Sequence, residues 1–399
     1  FSWDSCSHIM TVRVKIKDNS SSIILMMAKH KYENALSVVI LLSCKINQLQ
    51  RYFPSNFKIN PIKLSDLPPA TKAPLNSQLV NNAYDYIISS VEKITDNKLR
   101  QQTLDLIKDT RPKFMQLYTS STDVTNIYNE LANKGLIDTS IISPEQLFPP
   151  LKSNKNPQDF ISAPGSGYAS HHSYPGGLPT HTAANLSISE GVVNTYKLIF
   201  GYAVNTDIVL SAQALHDLAK PWVFQWNEDG TCLPEYSIAG TGAHHILGLV
   251  EAIYRNLPAE EIVAQACAHN HPGSDKDEES VVNWIKAASI IAQKNPVKYG
   301  LLDKSGDKLP TPQHQEGYIV HLGDHDWVLS GIVAKNTVIY LKEIAKTDYN
   351  FSDKDLNGKL FNDFRNYIGA QVSFMYLHNL MAQNGLEDVR NLVHQIVLK

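Results

Sequence analysis

Apolar positions along most of this chain recur at helical rather than strand spacing. Leu79, Ala83, Tyr86, Ile87 and Ile94 fall mostly three, four or seven residues apart, and Leu99, Leu106 and Ile107 continue the stripe. That spacing predicts a helical region over 75–142, with Thr122 and Asp123 as caps for a further helix ending at Gly135. Beyond Pro164 it predicts helices over 182–200, 207–220, 243–255, 258–269, 279–294 and 318–345. A last amphipathic pair covers 360–381 and 386–398 and reads as a helical cap over 346–399. Strand-like alternation is scarce, residues 1–26 have no clear period, and there is no internal repeat. The expected fold class is all-α.

Proline punctuation divides the helical runs. Pro54, Pro61, Pro68 and Pro69 mark 44–74 as a tether, and Pro144, Pro149, Pro150, Pro157 and Pro164 mark 143–164 as a linker ahead of a domain over 165–345. The tether follows a distinctive start. Met27-Ala28-Lys29-His30-Lys31 is a short basic segment, Leu36 to Leu42 is apolar, and Leu41-Leu42-Ser43-Cys44 resembles a bacterial lipobox with Cys44 as the lipidated residue. Residues 1–43 are therefore expected to be a leader starting at Met27, which makes the chain an exported bacterial lipoprotein of the periplasm or cell envelope. The apolar run is too short to span a bilayer. If it belongs to the core instead, the chain is cytoplasmic.

Composition narrows the function classes. With 43% hydrophobic and 19% charged residues, the 399-residue chain is an ordinary globular protein, not a disordered one. Its formal net charge of −3 offers no bulk attraction to a nucleic-acid backbone, and residues 1–43 carry more basic than acidic side chains, so their removal deepens the deficit. Cys6, Cys232 and Cys267 form no Cys-x-x-Cys pair, which excludes a zinc ribbon or a thioredoxin-like site. Trp222, Trp226 and Trp284 read as packing residues. Gly165-Ser166-Gly167 follows no strand and is not a phosphate loop.

The chemistry lies in the histidines. His171-His172-Ser173-Tyr174-Pro175-Gly176-Gly177-Leu178-Pro179-Thr180-His181 is a glycine-broken loop running into a helix. Ala214-Leu215-His216-Asp217-Leu218-Ala219-Lys220 places a His-Asp pair in an apolar run that Pro221 ends, and His244-His245 and His269-Asn270-His271 follow. Imidazole and carboxylate are ligands for divalent transition metals, which ionise water near neutral pH. A lone histidine is usually surface or satisfied core. A carboxylate in an apolar run needs a partner, and a cation beside Asp217 supplies one, with Lys220 as the plainer alternative.

The Tyr-x-Gly-Gly-Leu-x-x-His-Thr approach to His181 and the His-Asp-Leu-Ala-Lys run resemble the HD-domain superfamily of metal-dependent phosphohydrolases, over roughly 159–345. The approach looks most like the HD domains of certain exoribonucleases and relaxase-type plasmid proteins. The resemblance implies a helical bundle with additional N- and C-terminal helices. It also implies one or two divalent ions (manganese, iron, cobalt, nickel, zinc or magnesium). His181, His216, Asp217 and Asp324 would hold the first, and His245 and His269 a second. His244, His271 and His172 are additional candidates, and Asp217 and Lys220 are the catalytic pair. The family's distal Asp is where the pattern departs. Ser289 stands at the expected place, and choosing Asp324 implies an insertion around 295–315. The implied activity is hydrolysis of a small phosphorylated substrate, whether monoester, nucleotide or diester. A di-iron oxygenase of the same superfamily and a degenerate domain kept as a binding module remain alternatives. Contact with a membrane would run through Cys44 alone.

Overall fold

The computed structural model describes residues 58–151 and 156–399 fully, and before them the backbone of three strands. Those strands, Ser2–Trp3, Ile9–Ile16 and Asn19–Met26, form an antiparallel sheet in which Ile9 pairs with Met26 and Ile16 with Asn19. They correct the expectation of no periodicity before Met27. Met10, Val12, Val14 and Ile16 alternate with Thr11, Arg13 and Lys15, a period of two inside a stretch too short to stand out. The leader segment from Met27 to Cys44, with its lipobox, lies outside the described residues.

Residues 56–399 form one compact all-α unit. Part of the expected tether is fixed to this body. Ile62–Lys63 pairs in parallel with Val397–Leu398, Tyr367 donates a hydrogen bond to the Asn60 carbonyl, and Ile59, Ile62, Leu64 and Leu67 pack on the C-terminal core. The linker prolines likewise frame buried anchors. Leu147, Phe148 and Phe160 are buried, and the Phe148 ring stacks on Trp222. Proline punctuation marks backbone without regular structure, which a body of this size can still pack. No helix among the described residues is long and apolar enough to cross a membrane.

Helix ends depart from the sequence expectation where they matter for chemistry. The helix expected over 207–220 runs Thr206–Leu215, turns through His216–Ala219, and resumes as Lys220–Val223. Pro221 starts that last turn instead of ending a helix, because a first-turn residue needs no N–H. The helix expected over 318–345 is broken into Glu316–Gly323 and Trp327–Asp348. The C-terminal helix Lys359–Asn384 kinks at Ser373, whose φ is +64° and whose Oγ caps the Tyr376 N–H.

Between the His216 helix and Ala259–Ala266 lies a buried carboxyl that plays no part in the histidine cluster. Glu261 accepts a hydrogen bond from Ser211 Oγ at 3.2 Å, and burial pushes its carboxyl up to about 8. The folded value lies above the unfolded one. Its contribution is therefore fully present below the ordinary glutamate range and is lost as pH rises through about 8. Glu261→Gln should match the wild type near pH 4, below the ordinary glutamate range, and unfold at a higher temperature near pH 9. Parallel pH–stability curves for the two proteins would remove the assignment.

Candidate metal centre

Four stretches far apart in sequence converge on one buried point. The first is the loop 165–176, which turns sharply into the helix Gly177–Phe200. Gly176 adopts φ +82°, and a Cβ there would meet Val80 at 2.4 Å, while a Cβ on Gly177 would meet the His172 carbonyl at 1.8 Å. This close seating starts the helix one turn ahead of His181 and aims its ring inward. The second stretch is the turn at His216–Asp217, and the third is the helix break at Asp324–Asp326. The fourth is the pair formed by the start of helix Ala243–Tyr254 and the loop at His269.

His181, His216, Asp217 and Asp324 close into a ring of contacts. His181 Nε2 lies 3.2 Å from Asp217 Oδ2 and 3.1 Å from Asp324 Oδ1, and His216 Nε2 lies 3.3 Å and 3.2 Å from the same two oxygens. All four residues are buried, yet His216 Nε2 and both Asp217 oxygens have no partner in hydrogen-bonding geometry. Ligand atoms at right angles on bonds of about 2.1–2.3 Å would sit roughly 3.0–3.3 Å apart, so these contacts match the edges of a coordination shell. Lys220 completes the setting, with Nζ 2.5 Å from Asp217 Oδ2 and donating to the Gly165 carbonyl.

The charges fit a divalent cation. Burial works against ionisation here, but the carboxylates of Asp217 and Asp324 hold His216 up at about 9, and those of Asp326, Asp217 and Asp324 hold His181 well above the histidine range. Despite burial, the same imidazoles hold Asp217 and Asp324 well below the carboxylate range, with Lys220 adding to the effect at Asp217. Three carboxylates thus face one ammonium and two imidazoliums. Exchanging the two imidazolium protons for one divalent ion leaves that balance unchanged.

Asp217 and Asp324 each turn a second oxygen toward a further histidine pair. Asp217 Oδ1 lies 3.4 Å from His244 Nε2, and Asp324 Oδ2 lies 3.8 Å from His269 Nε2. Asp217, His244 and His269 each offer an atom within 4.8 Å of the others, as do His181, His216 and Asp324. Each of the two carboxylates thus faces both histidine sets, one through each oxygen.

The inward histidines are oriented from behind. His181 Nδ1 lies 3.0 Å from Asp326 Oδ1, whose other oxygen lies 2.7 Å from His172 Nε2. His216 Nδ1 faces the Gln213 carbonyl at 2.7 Å, His244 Nδ1 faces Glu235 at 2.5 Å, and Asn185 donates to Asp324 Oδ1 at 2.9 Å. A proton held at Nδ1 leaves the Nε2 lone pair facing the centre.

Two expectations about individual histidines are corrected. Of the pair His244-His245, His244 faces the centre, whereas His245 Nε2 turns to the Ala266 carbonyl at 3.1 Å and its ring packs on Trp284. Helical neighbours diverge by 100°, so only one of the two can face the cavity. Burial, with His244 beside it, pushes His245 down to about 3. His271 also stands outside the ligand groups, stacked on Tyr318, and His172 acts through Asp326 in a third group with His181. Ser289 lies on Asp275–Ile291 in a separate groove with Tyr118 and Gln293. Sequence reasoning missed Asp326, Glu235 and Asn185. Asp326 stands two residues past Asp324 and Asn185 one turn past His181, so local spacing could have found both; nothing in the sequence points to Glu235. His244→Ala should lower metal content or affinity by roughly 10–100-fold, the range for a weakened shell, whereas His245→Ala should cost packing stability with metal retained. Equal metal loss in both would reverse the assignment.

Over 183 residues, 46% of the chain, the sequence is 27% identical to the dihydroneopterin 2',3'-cyclic phosphate phosphodiesterase of Methanocaldococcus jannaschii. The match spans 58% of that protein's length, under two thirds of it. No protein-family model matches the chain, and no solved structure matches it.

Proposed function

We propose that this chain is a metal-dependent phosphoester hydrolase of the HD kind. The observation that carries the proposal is the closed ring of two imidazole nitrogens and two carboxylate oxygens with edges of 3.1–3.3 Å, in which His216 Nε2 and the Asp217 oxygens are buried without a hydrogen bond. The similarity to an archaeal phosphodiesterase supports the reaction class. His181, His216, Asp217 and Asp324 would hold one divalent ion, and His244 and His269 would join the second oxygens of Asp217 and Asp324 around another. Such an ion supplies a water that ionises near neutral pH and positive charge for phosphoryl oxygens. Lys220, tied to Asp217 and the Gly165 carbonyl, adds fixed positive charge beside the reacting group. Asp217 and Asp324, which face both histidine sets, would keep the two positions in one register.

The test joins metal analysis of chelator-free protein to a panel of p-nitrophenyl phosphate, bis-p-nitrophenyl phosphate and adenosine 2',3'-cyclic phosphate. The expected result is bound divalent metal and phosphoester turnover that a chelator removes and metal restores. Metal-replete protein inert on the whole panel would overturn the proposal. Iron with oxygen-dependent turnover would move the chain to the oxygenase branch.

Location is a separate proposal resting on the sequence from Met27 to Cys44. A basic start, a short apolar run and a lipobox together suit export and anchoring through Cys44, because two or more acyl chains at about 0.8 kcal/mol per buried CH₂ hold stably. Expression in a bacterial host should give a detergent-fractionating product whose intact mass begins at acylated Cys44. A soluble product still carrying Met27–Ser43 would rule this out.

A further inference from the structure

A cavity of about 200 Å³ shares no lining residue with the histidine cluster. One wall is the helix Ala259–Ala266 with Cys267 behind it. The other is the stretch around 295–315, read from the sequence as an insertion, where it runs into the start of Glu316–Gly323. Val263, Ala264, Cys267, Leu309 and Pro312 make the lining mostly apolar. Two carboxylates, Glu260 and Glu316, also line it, and no lysine or arginine among the described residues does. Lys308, next to the lining residue Leu309, is tied to Asp275 and Glu278 instead, at 3.3 Å and 3.5 Å.

Glu316 is 5% exposed, and only one of its carboxylate oxygens is used. Oε1 accepts from the Asn205 N–H at 2.6 Å, whereas Oε2 is buried without a hydrogen bond. A first-turn acid offsets the partial charge of its helix, which accounts for the carboxylate but not for the bare oxygen. A buried acceptor of that kind costs stability until a donor reaches it. The His314 ring stands beside it, with Nδ1 3.9 Å from Glu316 Oε2, too long for a hydrogen bond, and Nε2 3.3 Å from Glu260 Oε1. The ring thus turns a different nitrogen to each carboxylate. The three residues do not form one of the groups whose ligand atoms converge closely enough for a metal ion. His314 is itself exposed and free to be displaced.

We infer that this cavity is a binding site for a short aliphatic primary ammonium ion. The ammonium group takes the place of the His314 ring and donates to Glu316 Oε2 and to Glu260, its charge and three N–H donors matching two carboxylates. The alkyl chain lies along Val263, Leu309 and Pro312. An anionic ligand would meet both carboxylates without a counter-charge, so the cavity does not take the phosphorylated substrate proposed for the cluster. The inference stands independently of the reaction assigned there.

The experiment is calorimetric titration of the metal-loaded full chain with n-butylammonium chloride, with n-butanol and sodium butyrate as neutral and anionic counterparts. The ammonium ion should bind in the millimolar range, which its few heavy atoms allow, and the two counterparts should not bind. Glu316→Gln keeps the shape and removes the charge, while Ala259→Leu fills the cavity and keeps both carboxylates. Each should weaken binding by about tenfold or more. His314→Ala, which removes the displaced ring, should bind at least as tightly as the wild type. Glu343→Gln, an exposed acid on Trp327–Asp348, is the control for surface charge and should change nothing. The helical signal of each variant shows that it folds, and if Glu316→Gln does not, Ala259→Leu decides alone. No binding of n-butylammonium by the wild type, equal binding of n-butanol, or undiminished binding in either folded variant would overturn the site.

Discussion

Replacing Asp217 by asparagine should abolish metal retention and reduce phosphoester hydrolysis by on the order of 10³-fold or more, with the helical signal intact. Asp217 is the member touched from every side. Its Oδ2 meets His181, His216 and Lys220, and its Oδ1 meets His244. Asparagine keeps the size and loses the charge, so both positions lose their shared anion. Asp217→Ala is the harsher form, because it also leaves buried Lys220 without a counter-charge, at a cost of about 3–5 kcal/mol. Adding Lys220→Met to Asp217→Ala should restore most of that stability, since an apolar pair of similar volume fits the site, but not the metal. Metal content by mass spectrometry, turnover and thermal unfolding separate these effects. Full metal content in Asp217→Asn would sink the reading of this cluster as a metal centre.

The second large effect is expected at Asp324, with Ser289 as its contrast. Asp324→Asn should cost most of the metal and activity, because Asp324 Oδ1 closes the ring between His181 and His216. Removing it also releases the two imidazoles from the carboxylate that helps hold them charged, so titration of the metal-free variant should show His216 falling from about 9 toward its ordinary range. Ser289→Ala should be nearly silent in both readouts, because that hydroxyl is buried on a helix face outside the ligand groups. The opposite pattern would put the last ligand on Asp275–Ile291. It would also restore the degenerate-domain alternative that Ser289 motivated.

Much of this protein is legible in its amino-acid order alone. Helical spacing determines the all-α class and most helices, because burial selects one stripe per helix whatever the neighbours are. The resemblance at His181 and His216-Asp217 points to the core of the cluster, and Asp324 is reachable as the carboxylate in an apolar frame. Local periodicity cannot report where a helix breaks under tertiary load. The breaks at His216–Ala219 and Asp324–Asp326 are the places where chemistry replaces regular structure.

Tertiary structure decided the rest. The choice between His244 and His245 depends on which way helix Ala243–Tyr254 is rotated against Glu235 and Ala266, residues 9 and 21 positions away along the chain. Asp326 could be matched to His181 and His172 only once the helix break had swung it inward. The sequence by itself determined the kind of ligands and the helical frame, which follow from side-chain chemistry and local spacing. Direction, pairing and second partners came from packing, because a hydrogen bond or a coordination edge is settled within a few ångströms that no one-dimensional pattern encodes.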